Sequence, residues 1–163
     1  MPTAVADTSV LVAFSGVHRL NLVRQRYAEI VVPPAVFDEI VTNGEGWTEA
    51  ADAQAALREG NWITVNDLPG GISIRFPPRL GAGEREAILL ARTMGLPLLV
   101  DDRLARKIAA ANDVAVEGSL AILATAKRAG LIASTKPIVL GMVGNGIRFA
   151  DDLLGQFFQT MSE

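Results

Sequence analysis

Residues 96–109 read L-P-L-L-V-D-D-R-L-A-R-K-I-A, in which a short apolar run leads into two acids and then into a helical pattern. The run Leu98–Val100 has the length and character of a strand that is buried on both faces, as in a parallel sheet. Asp101 and Asp102 follow this strand directly. The ligand crevice of an open α/β sheet lies beyond the carboxyl ends of its strands, so this stretch predicts acids at the functional edge of such a sheet.

A further acid occupies the same position near the beginning of the sequence. Residues 4–9 read A-V-A-D-T-S, so Asp7 follows a strand predicted over Ala4–Ala6 and precedes a helix predicted from Ser9. Although 94 residues separate Asp7 from Asp101, the carboxyl ends of parallel strands share one edge of a sheet. We therefore expect these acids to lie near one another.

Two glutamates extend the pattern. Glu39 lies in P-P-A-V-F-D-E-I (residues 33–40), after a β-branched strand predicted at Glu29–Val32, and Glu84 lies in G-A-G-E-R-E-A-I (residues 81–88). With no cysteine and one histidine in the chain, carboxylates would supply the ligands of a metal site. Carboxylate oxygens suit a hard cation such as Mg²⁺ or Mn²⁺. Metal-assisted phosphate chemistry is the leading hypothesis.

The rest of the sequence alternates apolar runs with helical patterns. Further strands are predicted at Trp62–Val65 and Val114–Val116. Further helices are predicted at residues 34–41, 48–59, 84–94, 103–111, 119–128, 138–143 and 151–161, and a long loop at residues 68–79. Strands that alternate with helices favour a parallel sheet covered on both faces.

Each acid taken alone has a simpler explanation. Asp7 and Asp102 precede helices, where an aspartate caps the free backbone N–H groups. Glu84 lies in the first turn of a helix, where it complements the helix dipole, and Glu39 fits a solvated helix face. Together, however, these acids recur at strand ends or on the next helix. Like charges held close together are costly unless a cation joins them, so the joint pattern favours a metal site.

Composition narrows the class of protein. The 163 residues, half of them hydrophobic, fit a single domain over residues 1–163. The sequence has neither a signal-peptide pattern nor an apolar run of the ~20 residues that span a membrane, so we expect a cytoplasmic protein without membrane contact. A net charge of −3 and a pI near 5.2 argue against a basic protein that coats nucleic acid. The segment G-A-G-E-R-E is neither a P-loop nor a dinucleotide fingerprint.

Blocks of the sequence, in their order and spacing, resemble the PIN-domain nucleases. The closer resemblance is to the branch related to VapC-type toxins of toxin–antitoxin systems. The blocks are V-A-D-T-S-V-L (5–11), V-V-P-P-A-V-F-D-E-I (31–40), G-A-G-E-R-E-A-I-L-L-A (81–91), L-P-L-L-V-D-D-R-L-A-R-K-I-A (96–109) and A-V-E-G-S-L-A-I-L-A-T-A-K-R-A-G-L-I (115–132). The likeness covers most of the chain.

The resemblance implies a three-layer α/β/α sandwich with a central, mostly parallel twisted sheet, and an endoribonuclease that uses Mg²⁺ or Mn²⁺. Asp7, Glu39 and Glu84 match the first three catalytic acids of the family. The fourth is either Asp101 or Asp102, and the spacing from Glu84 favours Asp102. Asp7, Glu84 and Asp102, or Asp101 in its place, would bind the metal, and Glu39 would orient or deprotonate the attacking water.

The same resemblance implies an RNA substrate, an antitoxin protein as partner and a homodimer. Arg103, Arg106 and Lys107 are candidates to hold phosphate oxygens, or they form a solvated basic helix face. Thr8 and Ser119 are candidate hydroxyls that support the acids. Two alternatives stay open: a catalytically inactive PIN-fold protein that binds RNA or a partner, and a small phosphohydrolase of another α/β family.

Overall fold

Parallel strands form the centre of the molecule. A computed structural model describes residues 2–163, and its strands form one five-stranded sheet in the order β3-β2-β1-β4-β5, with every neighbouring pair parallel. The strands are β1 (Thr3–Ala6), β2 (Glu29–Val32), β3 (Ile63–Val65), β4 (Leu98–Leu99) and β5 (Val116–Glu117).

Helices connect these strands. They are α1 (Thr8–Gly16), α2 (Leu20–Arg26), α3 (Pro34–Phe37), a π-helix (Asp38–Thr42), a 3₁₀-helix (Thr48–Ala50), α4 (Ala51–Glu59), α5 (Ala82–Met94), α6 (Arg103–Ala111), α7 (Ser119–Arg128), α8 (Lys136–Gly144) and α9 (Asp151–Thr160). None of the helices between residues 2 and 163 combines the length and the apolar character that crossing a membrane requires.

The sheet carries a buried apolar layer on each face. Ala4 and Ala6 of β1 pack in one cluster with residues of α1, α2, α4, α7 and α8. Val5, between them in sequence, packs in a second cluster with residues of α5 and α6. Successive side chains of a strand point to opposite faces, so helices cover both sides of the sheet. The predicted α/β/α fold with a central parallel sheet is therefore confirmed.

The structure differs from the local predictions at three places. Helix α2 was not predicted, because Arg19 at its N-terminus makes no side-chain capping bond and its buried residues Leu20, Leu22 and Val23 do not keep to one helical spacing. Strand β5 comprises Val116–Glu117 rather than Val114–Val116. The predicted helix over residues 34–41 is also divided, since its second part is the π-helix.

The strand order changes direction between β1 and β4, because the chain fills one half of the sheet before it starts the other. The first strands are laid down from β1 outward to β3, and the chain then returns to the other side of β1. The backbone N–H of Asp7 donates to the carbonyl of Leu99 at 3.1 Å, which fixes the end of β1 beside the end of β4. Ligands of doubly wound folds bind at such a switch point.

Candidate active site

The predicted acids lie around a single cleft at the carboxyl ends of β1 and β4. The cleft has a volume of about 1060 Å³. Its lining includes all the acids singled out in the sequence: Asp7, Glu39, Glu84, Asp101 and Asp102. They come from the ends of two strands, the π-helix and the first turn of α5. The fold therefore brings together residues that are up to 95 positions apart in sequence.

Asp7 is the most deeply placed of these acids, with 2% of its surface exposed. It caps α1 by accepting the backbone N–H of Val10 at 3.2 Å, and it accepts the Ser9 hydroxyl at 2.8 Å. Burial raises the pKa of Asp7 from 3.8 to about 7, against the opposing effect of these hydrogen bonds, and the charges of Asp101 and Glu84 raise it further. Asp7 is therefore a capping residue whose ionised form the protein disfavours.

Glu39 is held in the π-helix by contacts from two other segments. The Thr8 hydroxyl donates to Oε2, and the backbone N–H of Gly83 donates to Oε1 at 3.1 Å. A Cβ atom on Gly83 would lie 2.7 Å from each carboxylate oxygen of Glu39. Any larger residue at position 83 would therefore require the Glu39 carboxylate to move from this position.

Glu84 lies at the N-terminus of α5, where its Oε1 accepts the backbone N–H of Gly81 at 3.4 Å. Its Oε2 is buried and has no hydrogen-bond partner among residues 2–163. Burial raises the pKa of Glu84, and the negative charges of Asp102 and Glu39 add to the effect. Glu84 and Asp102 can share a hydrogen bond only when one of the two carboxyl groups is protonated. When both are ionised, no proton lies between them and Oε2 of Glu84 has no donor.

Asp101 and Asp102 line the same cleft but make different contacts. Asp101 accepts the backbone N–H of Ser119 at 2.7 Å and its hydroxyl at 2.5 Å. Asp102 caps α6 through the backbone N–H of Ala105 at 2.8 Å. Strand β4 ends at Leu99, so both residues lie beyond its pleated part and strand alternation does not fix their directions.

With this geometry known, comparisons with known proteins identify the family. A family model described as "DUF3368: PIN domain" matches residues 3–163. The chain belongs to the PIN-domain family. PIN domains are generally nucleases and typically use divalent metals, and no curated protein matches this chain.

A solved structure agrees with the fold of this PIN domain. It is a PilT N-terminus domain protein from the hyperthermophilic archaeon Sulfolobus solfataricus P2, with a TM-score of 0.51 and 18% sequence identity. The similarity covers 76% of this chain and 92% of the archaeal chain. At this identity the likeness supports the fold alone.

The donor chemistry of this PIN domain fits a divalent cation. Within residues 2–163, no three or more acidic or histidine side chains are already grouped closely enough to hold a metal ion. The buried Oε2 of Glu84 nevertheless lacks a donor, and the pKa values of Glu84 and Asp7 are raised by burial and by neighbouring carboxylates. A cation would relieve both conditions, and carboxylate oxygens are the ligands that Mg²⁺ and Mn²⁺ prefer.

Basic side chains lie beside the acids of the PIN domain. Arg103 and Arg106 line the cleft, whereas Lys107 is exposed and does not. A Cβ atom on Gly118 would lie 2.9 Å from Oδ1 of Asp101 and 3.0 Å from a guanidinium nitrogen of Arg106, so that arginine extends to the neighbourhood of the acids.

Sequence reasoning missed a further part of the lining: Trp47, Arg148 and Phe149. They lie in glycine-containing segments, G-E-G-W-T and G-N-G-I-R-F-A, that have no periodic pattern. The local signal that could have found them is an aromatic residue or an arginine shortly after a pair of closely spaced glycines.

Proposed function

We propose that this PIN domain is a metal-dependent endoribonuclease that hydrolyses RNA phosphodiester bonds. One observation carries the proposal: the five carboxylates named above, which come from four separate segments of the chain, line the cleft at the topological switch point. Arg103 and Arg106 line the same cleft, where they can contact the phosphates of a substrate. The family, whose members are generally nucleases, supports the same reaction class.

The proposed roles follow from the contacts of each residue. Asp7, Glu84 and Asp102, with Asp101 as the alternative fourth acid, would hold Mg²⁺ or Mn²⁺. When bound, such an ion would lower the pKa of a water molecule and offset the negative charge of the phosphate. Glu39 is held by the backbone N–H of Gly83, and it orients the attacking water and accepts its proton.

The test is cleavage of a labelled RNA by the purified protein. EDTA should stop cleavage and an excess of Mg²⁺ or Mn²⁺ should restore it, while Asp7→Asn should remain inactive with either metal. Glu59→Gln serves as the matched control, because Glu59 is an exposed acid at the end of α4 and does not line the cleft. Cleavage that persists in EDTA and in Asp7→Asn would identify a contaminating nuclease and reject the proposal.

A catalytically inactive PIN-fold protein that binds RNA or a partner is the second candidate. It is favoured by the absence, within residues 2–163, of an acidic group already close enough to hold a metal. It is also favoured by the hydrogen bonds that occupy Asp7, Glu39 and Asp101. This candidate predicts that the protein binds RNA in the presence of Mn²⁺ but leaves every strand intact.

A toxin role is a finer proposal that rests on the sequence resemblance to VapC-type proteins. It includes an antitoxin partner, a homodimer and a cytoplasmic location. A short neighbouring reading frame whose product co-purifies with this chain and suppresses its growth inhibition would support it. Light scattering after size exclusion tests the dimer, and a monomer at all concentrations would contradict that part.

A further inference from the structure

The cleft has more room than a metal ion and one phosphate need. Its volume of about 1060 Å³ is at the upper end of the ~300–1,000 Å³ that small-molecule sites enclose. The five acids named above come from the ends of β1 and β4, from the π-helix and from α5, and Asp152 of α9 is a sixth acid in the lining. Other lining residues come from the loop that precedes the 3₁₀-helix and from residues 146–150, the connection between α8 and α9. These two segments supply aromatic and basic side chains but no acid that the reaction uses.

Trp47 is the first of these side chains. It lies on a backbone fixed by a hydrogen bond from its N–H to the carbonyl of Gly44 at 3.0 Å, and 37% of its surface is exposed. The second tryptophan of the chain, Trp62, is 7% exposed and contacts Arg24 in a cation–π arrangement. A large aromatic ring that is left exposed in a cleft offers a face on which a nucleobase can stack.

The connection between α8 and α9 supplies the other side chains. It is fixed at its beginning, where the side-chain amide of Asn145 donates to the carbonyl of Gly16 at 2.9 Å. Phe149 packs partly against the core and also lines the cleft. Arg148 is exposed, and neither a hydrogen bond nor an ion pair engages its guanidinium among residues 2–163. Its charge is available to a ligand in the cleft.

We propose that Trp47, Arg148 and Phe149 form a subsite for an unpaired nucleotide next to the scissile phosphate. The aromatic rings contact the base and Arg148 contacts a phosphate. Bases inside an A-form duplex are stacked on one another and cannot use such a surface, so the substrate is single-stranded at this position. This inference rests on the proposed ribonuclease function for the identity of the nucleic acid.

Equilibrium binding tests the subsite independently of cleavage. The ligand is a short labelled RNA without self-complementarity, used as a single strand and as a duplex with its complement. Each form is titrated with wild type in EDTA and with Asp7→Asn in Mg²⁺, two conditions in which no cleavage is expected. The single strand should bind more tightly than the duplex and should quench the fluorescence of Trp47. Trp47→Ala should weaken binding of the single strand roughly 5- to 150-fold. Trp47→Phe should retain most of the affinity but lose the quenching, because Trp62 is buried.

Matched controls separate stacking from charge. Arg148→Ala should weaken binding and reduce the slope of log Kd against log salt by about one. Arg92→Ala, an exposed arginine in the last turn of α5, and Leu131→Ala, an exposed apolar residue, should leave binding unchanged. Equal affinity for single strand and duplex, no effect of Trp47→Ala, or no binding in either condition overturns the subsite. If binding depends on Trp47 but wild type with Mg²⁺ or Mn²⁺ cleaves no RNA, the ribonuclease function is rejected and the subsite is not. If wild type cleaves RNA but binding does not depend on Trp47, only the subsite is rejected.

Discussion

Several acids of the cleft have a structural role as well as the proposed catalytic one. Asp7 and Asp102 each cap a helix, and Glu84 accepts an N–H group at the beginning of another. Capping fixes where each carboxylate lies, because the helix N-terminus determines the position of the capping oxygen. Among residues 2–163 the buried Oε2 of Glu84 accepts no hydrogen bond, so it remains for a ligand. Structural and catalytic explanations of these residues are therefore compatible.

Asp7 should make the stability of the metal-free protein depend on pH. Its pKa is raised from 3.8 to about 7, so between these values the folded state keeps a proton that the unfolded state has released. The stabilisation is complete below pH 3.8 and is lost as the pH rises through about 7, at up to about 1.4 kcal/mol per pH unit. Urea unfolding in EDTA measures this loss. In Asp7→Asn the free energy of unfolding should fall less steeply as the pH rises. An equal fall in both proteins would contradict a raised pKa at Asp7.

The two acids after β4 should differ in their effect on cleavage. Both oxygens of Asp101 accept bonds from Ser119, whereas Asp102 uses one oxygen to cap α6. We expect Asp101→Asn to reduce the single-turnover rate by about 10- to 100-fold, as removal of a supporting group does. Asp102→Asn should reduce the rate further, to the background level. The reverse ranking, with both variants folded by circular dichroism, would show that Asp101 is the fourth acid.

At the level of elements, the π-helix and the beginning of α5 together position Glu39. The side-chain amide of Gln54 donates to the carbonyls of Ile40 at 3.0 Å and Gly44 at 2.7 Å, which joins α4 to the π-helix and to the loop that follows it. Short π-helical segments recur at functional sites. The close approach of α5 then provides Glu39 with the N–H of Gly83.

A glycine pair tests this arrangement. Gly83→Ala should displace Glu39, because the new Cβ atom would lie 2.7 Å from both of its carboxylate oxygens. We expect cleavage to fall by about 10- to 100-fold, since misplacement by about 1 Å has effects of that size. Gly155→Ala in α9 is the control, because no atom lies within 4 Å of its Cβ position. It should raise the unfolding free energy by about 0.5–1 kcal/mol without changing cleavage. Full activity in Gly83→Ala would show that Glu39 needs no fixed position.

At the level of the whole molecule, the end of the described chain is fixed by side chains from earlier segments. None of the residues of α9 is buried, but Glu163 beyond it pairs with Lys127 at 3.0 Å. Burial alone would raise the pKa of Glu163, but hydrogen bonds from Ser134 and Thr135 hold that pKa well below its ordinary value. These contacts fix the chain beyond α9, as Asn145 fixes it before the 146–150 connection that lines the cleft.

Metal should stabilise the whole molecule by binding to the folded state alone. At about 100 times its Kd, Mg²⁺ or Mn²⁺ should add about 2.7 kcal/mol, which for a chain of 163 residues raises Tm by roughly 5–11 °C. Differential scanning calorimetry measures this shift, and Asp7→Asn should not show it. Equal shifts in both proteins would argue against Asp7 as a ligand.

The same scan tests the proposed single domain over residues 1–163, which predicts one cooperative transition.

Local sequence patterns were sufficient to predict the five strands, with β5 shifted, most of the helices and the positions of the acids after the strands. The apolar runs before Asp7 and Asp101 are local patterns, and a parallel sheet places the residues that follow its strands at one edge. Asp7, Glu39, Glu84 and the Asp101–Asp102 pair could therefore be selected before the fold was known. The choice within the pair could not be made, because it depends on Ser119 and Ala105 and on the path of the chain beyond Leu99.

The surroundings of these acids depend on packing between segments that are distant in sequence. The raised pKa of Asp7 results from burial and from charges that are distant in sequence, which no local pattern contains. The close contact between Gly83 and the Glu39 carboxylate results from the approach of α5 to the π-helix. Trp47 and Phe149 are 102 positions apart and line one cleft because the 3₁₀-helix and α9 pack on the same side of the sheet. Contacts of this kind depend on packing between elements, whereas sequence periodicity reports only the face that each element buries.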